Sequence, residues 1–211
     1  MKHYLFDFDG TLVDSMPTYG SIMLRILDEE GIAYGDDIIK IITPLGLKGA
    51  AEHFIGMGMQ RSTEEIIQLY LEYAVEAYTN DVPAKNNVAV VLQTLKRRGA
   101  GLHVLTASPH STLDPCLKRL GLYDIFDNVW SCEDFKTTKA DPEIYRLAAK
   151  KIGADVTDVL FLDDNYNADK TAKEAGMPVC GVYDVSSAEY TDEIKSVTDY
   201  YITDFSELLD I

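Results

Sequence analysis

From residue 88 onward the chain alternates between short apolar segments and amphipathic segments that end close to a glycine. The apolar segments are residues 102–106, 129–131, 159–163 and 178–183, and helical patterns begin at Val88, Pro109, Pro142 and Ala168. Such an alternation is typical of a parallel sheet that is covered by helices on both faces. We therefore predict an α/β core, a Rossmann-like doubly wound parallel sheet, in which ligands bind at the carboxyl ends of the strands.

The chain begins with one more apolar, aromatic strand at residues 4–9. The residues that follow, 15–82, show helical patterns and no convincing strand. Within them, residues 43–49 contain a proline and two glycines, which predicts an irregular stretch. We therefore expect residues 1–14 together with 83–211 to form the core, and residues 15–82 to form a small all-helical cap that is inserted after the first strand.

Composition excludes several classes of function. The 35 acidic and 19 basic side chains give a formal net charge of −16 and a pI near 4.5, so nucleic acid and anionic membranes are poor partners. No segment reaches the roughly 18 apolar residues that a membrane span needs, and none has the pattern of a signal peptide. Three scattered cysteines, Cys116, Cys132 and Cys180, favour a reducing compartment. We expect a cytoplasmic protein, as a monomer or homodimer.

Polar residues lie at or just beyond the predicted strand ends. They are Asp7, Asp9, Gly10 and Thr11 in the first group, Thr106, Ala107 and Ser108 in the second, then Lys139, and finally Asp163 with Asp164. In a doubly wound sheet these strand ends converge. Several carboxylates share a site only when a cation neutralises them, and oxygen ligands together with a phosphate favour Mg²⁺.

The other polar groups of these clusters favour phosphoryl chemistry. Lys139 supplies a positive charge, and Thr106 with the neighbouring backbone N–H groups supplies hydrogen-bond donors for a phosphoryl group. With the charge balanced, one carboxylate can attack phosphorus while another protonates the leaving oxygen.

Residues 7–15, Asp-Phe-Asp-Gly-Thr-Leu-Val-Asp-Ser, match the DxDGTLxDS signature of the haloacid dehalogenase superfamily. Thr106, Lys139 and the Asp163-Asp164 pair resemble its other three motifs, in the right order. The resemblance spans nearly the whole chain, and the helical insertion is similar to the cap of the phosphoglycolate phosphatase and β-phosphoglucomutase branch.

The resemblance implies a role for each matching residue. It makes Asp7 the nucleophile that becomes aspartyl-phosphate, Asp9 the general acid and base, and Thr106 and Lys139 the groups that hold the phosphate. Asp7, Asp164 and the backbone carbonyl of Asp9 become ligands of Mg²⁺. The neighbouring residues Gly10, Thr11, Ala107 and Ser108 are expected to line the substrate site. Lys48 and His53, in the irregular stretch of the cap, are candidates for substrate contact, and a plain surface position is the better explanation of each.

The sequence departs from the family pattern at two motifs. Ala140 follows Lys139 where the phosphatases usually have proline. In the fourth motif Asp163 replaces the usual glycine, and Ala168 stands where a second aspartate is common, four residues after the key one. The acidic pair looks closer to the Glu-Asp of the β-phosphoglucomutase branch, which makes Asp163 a second candidate ligand of the metal.

Several of these residues also have simpler explanations. Asp164, with Asn165 and Asn167 nearby, suits the N-cap of the following helix. Lys139 alone suits a solvated surface position, and Thr106 suits a strand without further role.

The leading hypothesis is a Mg²⁺-dependent phosphatase that acts on a small phosphorylated metabolite through an aspartyl-phosphate intermediate. Asp9 favours it over the dehalogenases of the superfamily, which lack an acid at that position. A phosphomutase similar to β-phosphoglucomutase is an alternative, weakened because the cap stretch offers Glu52 where that branch carries an arginine. A receiver-type signalling module is about half as long and lacks the insertion, and a catalytically inert binding protein stays open.

Overall fold

The computed structural model describes residues 2–211, and the chain divides into two compact units. One unit consists of Met1–Ser15 and Val82–Ile211, and the other of Met16–Asp81. In the described part of the chain, every strand belongs to the first unit, which we call the sheet unit. The second unit contains helices and connecting turns, and we call it the helical unit.

The sheet unit is built on six described strands that run parallel to one another. They are β1 (His3–Phe6), β2 (Gly101–Thr106), β3 (Asn128–Ser131), β4 (Val159–Asp163), β5 (Val179–Val182) and β6 (Tyr200–Ile202). Their order in the sheet is β3-β2-β1-β4-β5-β6, and Phe6 of β1 lies between Val104 of β2 and Leu162 of β4. The order reverses between β1 and β4, and ligands bind in the crevice at such a reversal. The predicted α/β class is confirmed.

Helices connect the strands and also make up the helical unit. They are α1 (Met16–Glu29), α2 (Ile38–Ile42), α3 (Gly46–Gly56) and α4 (Thr63–Asn80) in the helical unit, and α5 (Val88–Arg97), α6 (His110–Arg119), α7 (Glu143–Ile152), α8 (Tyr166–Glu174) and α9 (Thr191–Val197) in the sheet unit. Among residues 2–211, no helix combines the length and apolar character that crossing a membrane requires.

The central strands are apolar along their whole length because both faces of the sheet are covered. On one face Leu5, Phe161 and Val179 pack with Tyr145 of α7. On the other, Phe6 contacts the ring of Phe205. All six of these residues are buried.

The helical unit has its own core, which includes Met23 and Ile26 of α1, Phe54 of α3 and Ile66 of α4. The prediction of an irregular stretch at residues 43–49 is wrong for its second half, because α3 already begins at Gly46.

Two local features explain the early start of α3. Pro44 is accommodated in the first turn of a 3₁₀ helix at Thr43–Leu45, and Gly46, with a φ of 66°, redirects the chain into the next helix. Burial of Ala50, Ala51 and Phe54 then stabilises α3, so Lys48 and His53 are helical.

The two connections between the sheet unit and residues 16–81 lie side by side within the sheet unit. Val13 and Ala84 form an antiparallel bridge. The N–H of Asp14 donates to the carbonyl of Pro83 at 2.9 Å, and the N–H of Lys85 donates to the carbonyl of Leu12 at 3.0 Å. The chain therefore leaves and re-enters the sheet unit at one place.

Candidate active site

Three buried carboxylates lie at the reversal of strand order. Asp7 directly follows β1, Asp163 ends β4 and Asp164 comes next. The backbone N–H of Asp7 donates to the carbonyl of Leu162 at 2.8 Å, which extends the pairing of the two strands to the carboxylates. One oxygen from each of the three carboxylates lies within 4.8 Å of the others, and the three residues are only 1–7% exposed. The distant aspartates of the sequence thus meet at one point.

Lys139 supplies a positive charge to this cluster. Its ammonium group contacts Asp7 and bonds to the carboxylate of Asp163 at 2.8 Å. The hydroxyl of Tyr145 donates to the Lys139 carbonyl at 3.1 Å and holds the backbone in place. Burial opposes the charge on Lys139, but Asp163 and Asp7 outweigh it and raise the pKa of Lys139. The interpretation of Lys139 as a solvated surface lysine is wrong.

One lysine does not neutralise the negative charge of three carboxylates, and the raised pKa values of two of them follow from the excess charge. Burial and the charge of Asp163 raise the pKa of Asp7 to about 7, although Lys139 lowers it. Burial, Asp163 and Asp7 raise the pKa of Asp164 to about 8. Without a further cation these carboxylates hold protons near neutral pH. A divalent cation favours their ionised forms, so this donor set fits a hard metal ion such as Mg²⁺.

The loop after β1 packs closely against the cluster. Gly10 has a φ of 72°, and a Cβ on it would lie 2.6 Å from Oδ2 of Asp164. The hydroxyl of the buried Thr11 donates to Oδ1 of Asp164 at 3.3 Å. Gly10 is therefore required by both backbone geometry and space, and Thr11 orients Asp164.

Asp9 is held apart from the three clustered carboxylates by two hydroxyl groups. Ser15 donates to Oδ1 at 2.6 Å, and Ser108 donates to Oδ2. Neither contact was foreseen from the sequence, since the first depends on how the loop after β1 turns back and the second joins residues 99 positions apart along the chain. They fix the carboxylate of Asp9 beside the loop that follows β2.

That loop begins at Thr106, the last residue of β2, which is 1% exposed. The Thr106 hydroxyl accepts a hydrogen bond from the N–H of Ser108 at 3.0 Å, which folds residues 106–108 into a tight turn ahead of α6. Such turns present backbone N–H groups to anions.

The alternative interpretation of Asp164 as a helix cap is wrong. The cap of α8 is Asn165, whose side chain accepts from the N–H groups of Asn167 and Ala168. The Asp164 carboxylate does not cap α8 and belongs to the carboxylate cluster with Asp7 and Asp163.

Comparison with known proteins agrees with this geometry. The profile of the haloacid dehalogenase-like hydrolases matches residues 1–176. The chain belongs to the haloacid dehalogenase-like hydrolase family. The pyrophosphatase PpaX of Bacillus velezensis is 30% identical to this hydrolase over 210 residues, which cover 98% of this chain and 94% of the relative. A phosphoglycolate phosphatase of Yersinia pseudotuberculosis is 28% identical over 185 residues, covering 84% and 78%.

A solved structure supports the same assignment at the level of the fold. The structure, from Thermotoga maritima and named for β-phosphoglucomutase, superposes with a TM-score of 0.87 at 22% identity and covers 100% of both chains. The fold, the family profile and the relatives named as phosphatases together make this haloacid dehalogenase-like hydrolase a phosphatase.

The structure of this hydrolase adds one acidic residue that the motif comparison missed. Asp169, in the first turn of α8, is fully buried, and neither carboxylate oxygen has a hydrogen-bond partner within residues 2–211. Burial, followed by the charges of Asp163 and Asp164, raises its pKa well above the ordinary value.

The motif comparison placed this second acidic position at Ala168, one residue too early. The signal was present in the sequence as a buried helical stripe of Ala168, Asp169 and Ala172, in which an aspartate is out of place without a polar partner. The orphaned carboxylate of Asp169 is a further observation that fits a cation close by.

Lys48 and His53 of the hydrolase lie in α3 of the helical unit. The Lys48 side chain is 78% exposed, and its ammonium group lies 3.9 Å from Glu52. Substrate contact by Lys48 stays a prediction.

Proposed function

We propose that this protein is a Mg²⁺-dependent phosphatase that hydrolyses a small phosphorylated metabolite through an aspartyl-phosphate on Asp7. The observation that carries the proposal is the position of the Asp7 carboxylate, in contact with the ammonium group of Lys139 and with one oxygen within 4.8 Å of oxygens of the buried pair Asp163 and Asp164. A dianionic phosphate approaches this carboxylate only when cations offset the negative charges of both groups.

The residues that would hold Mg²⁺ are Asp7, Asp163 and Asp164, together with the backbone carbonyl of Asp9. When bound, the ion neutralises charge on the carboxylates and on the phosphate and keeps Asp7 ionised at neutral pH. The raised pKa values of Asp7 and Asp164 and the orphaned carboxylate of Asp169 support this assignment.

The protein groups then account for both halves of the reaction. An oxygen of Asp7 attacks phosphorus, the bond from phosphorus to the ester oxygen breaks, and Asp9 donates a proton to that oxygen. Asp9 next removes a proton from water, the water oxygen attacks phosphorus, and the bond to Asp7 breaks to release phosphate. Lys139, Thr106 and the backbone N–H groups of the turn at residues 106–108 stabilise the charge on the phosphoryl oxygens.

The helical unit is proposed to act as a cap that excludes water and contacts the leaving group. Its exposed Lys48 is our candidate for recognition of an anionic part of the substrate. The relatives named above are a pyrophosphatase and a phosphoglycolate phosphatase, and both names specify a small phosphate compound, which supports a small phosphorylated metabolite as the substrate class.

The test is phosphate release by the purified protein from p-nitrophenyl phosphate and from a panel of sugar phosphates, phosphoglycolate and pyrophosphate, with Mg²⁺ or with EDTA. We expect release only with Mg²⁺, and no turnover in Asp7→Asn. The matched control is Asp124→Asn, an exposed aspartate of the sheet unit, which should keep wild-type turnover.

Two further measurements test the mechanism. Acid quenching during turnover should trap a phosphorylated peptide that contains Asp7, detected by mass spectrometry. Full activity in EDTA, or wild-type turnover by Asp7→Asn, would overturn the proposal. Transfer of the phosphoryl group to a sugar without release of phosphate would favour the phosphomutase instead.

We also propose that the enzyme works in a reducing cytoplasm, as a monomer or homodimer. The three cysteines are free and buried, which supports the first part. Size-exclusion chromatography with light scattering distinguishes the two oligomeric states, and a larger assembly would contradict the second part.

A further inference from the structure

His110 joins two elements that flank the phosphate site. It is the first residue of α6, just after the turn at residues 106–108. Its Nδ1 lies 2.8 Å from Oδ1 of Asp114, one turn further along α6, and its Nε2 lies 2.9 Å from Oδ2 of Asp134. Asp134 belongs to the 3₁₀ helix at Cys132–Phe135, which follows β3. The imidazole ring thus bridges two segments that are far apart in sequence.

The geometry requires the charged form of the imidazole. An ionised carboxylate only accepts hydrogen bonds, and a neutral imidazole carries a single N–H, so two carboxylates at hydrogen-bond distance need both ring nitrogens protonated. The hydrogen bonds to Asp114 and Asp134 raise the pKa of His110, although partial burial opposes the charge. Asp114 from its own helix and Asp134 from the packed 3₁₀ helix are the charged groups that face the ring.

Asp134 is itself well anchored. Its Oδ2 also accepts from the N–H of Ser131 at 3.0 Å, at the end of β3. Burial alone would raise the pKa of Asp134, but the hydrogen bonds from His110 and Ser131 lower it. The same 3₁₀ helix carries the Cys132 thiol, which lies beside the backbone of Lys139. A contact on Asp134 therefore acts on the segment that leads to Lys139.

We propose that the imidazolium of His110 is a positioning group that fastens the turn at residues 106–108 to the segment carrying Lys139, and that it makes phosphate binding depend on pH. The inference rests on the proposed function, since it takes Thr106 and Lys139 as the groups that hold the phosphate. At low pH the ring donates to both carboxylates. As the pH rises through the raised pKa of His110, one donor is lost and a lone pair faces a carboxylate, so phosphate affinity falls.

Four substitutions test the proposal. His110→Gln removes the charge of the ring, and Asp134→Asn removes the negative charge from the contact between the two segments while it keeps an oxygen that can accept from Ser131. Asp114→Asn is the matched control, because it also removes a carboxylate partner of His110 but only within α6. His110→Arg keeps a permanent charge and two or more donors.

At pH 6 we expect His110→Gln and Asp134→Asn to raise the KM for p-nitrophenyl phosphate and the Ki of inorganic phosphate about three- to tenfold, the size of one ordinary hydrogen bond, because solvent screens this half-exposed pair. We expect kcat to change less. The ratio of the variant KM to the wild-type KM should fall toward one at alkaline pH. Asp114→Asn should stay within about twofold of wild type, and His110→Arg should keep a low KM beyond the pH at which wild type loses it.

A titration of the histidine ring by NMR gives a readout that does not depend on turnover. The chain has four histidines, so the signal of His110 is assigned by its loss in His110→Gln. Asp134→Asn should lower the pKa of His110. A wild-type enzyme that fails to hydrolyse phosphate esters would refute the proposed function, whereas the NMR titration and calorimetric binding of inorganic phosphate would still decide the role of His110.

Three results would overturn the inference: a KM ratio that does not change with pH, equal effects of Asp134→Asn and Asp114→Asn, or a pKa of His110 that Asp134→Asn leaves unchanged. A lower thermal stability of the variants without the pH-dependent change in KM would indicate a structural role only.

Discussion

Replacing Asp164 with asparagine removes one of the three buried carboxylates, and we expect it to stabilise the metal-free protein at alkaline pH. In the folded protein burial, Asp163 and Asp7 raise the pKa of Asp164 from an ordinary 3.8 to about 8. The folded state therefore binds a proton more tightly than the unfolded chain does. Stability from this group is present at acidic pH and is lost as the pH rises toward 8.

The expected magnitude follows from the proton affinity, since a tenfold change corresponds to about 1.4 kcal/mol. The free-energy cost of keeping this carboxyl group in the fold grows from about 2 kcal/mol at pH 5.5 to about 5 kcal/mol at pH 8. The increment of about 3 kcal/mol is an upper value, because Asp7 and Asp163 share the same repulsion. For a chain of this length it corresponds to a shift in Tm of roughly 6 to 12 °C.

The assay is thermal unfolding of wild type and Asp164→Asn in EDTA at pH 5.5 and pH 8, both above the pI near 4.5. The gain in Tm on substitution should be larger at pH 8, and Mg²⁺ should stabilise wild type at pH 8 but not the variant. Asp124→Asn serves again as the exposed control. A gain that is equal at the two pH values, or a variant less stable than wild type in EDTA at pH 8, would refute the reasoning.

Three other substitutions test the remaining parts of the site. Lys139→Met should lower kcat by at least about 100-fold and weaken phosphate binding, because it removes the fixed positive charge beside Asp7; a kcat near wild type would contradict that role. Gly10→Ala should raise the Mg²⁺ concentration needed for half-maximal activity, since its Cβ would meet the Asp164 carboxylate at 2.6 Å and its φ of 72° is unfavourable for alanine; an unchanged Mg²⁺ titration would argue against Asp164 as a ligand. Lys48→Ala should change the order of preference within the substrate panel more than turnover of p-nitrophenyl phosphate; an unchanged order would remove Lys48 from substrate recognition.

Much of the fold could be predicted because burial on both faces leaves a clear trace in the sequence. The apolar run at residues 159–163 has the bounds of β4 in the structure. The meeting of Asp7, Asp163 and Asp164 followed from topology alone, since parallel strands bring their carboxyl ends to one edge.

The residues that were missed depend on contacts between distant loops or on local backbone geometry. The start of α3 was not predicted because proline and glycine usually interrupt helices. Here Pro44 lies in a short 3₁₀ helix and Gly46 redirects the chain into α3. The hydroxyl groups of Ser15 and Ser108 reach Asp9 only once their loops are folded. Asp169 lies one position beyond the motif spacing of four residues, and only the burial pattern of α8 points to it.

The bridge between Val13 and Ala84 has an evolutionary consequence. Because a backbone hydrogen bond from Asp14 to Pro83 holds the departing and returning segments side by side, residues 16–81 form an insertion that contributes no strand to the sheet. Proteins that share this sheet can lengthen, shorten or exchange the insertion during evolution, and so acquire new specificity, while the pairing register of the strands stays the same.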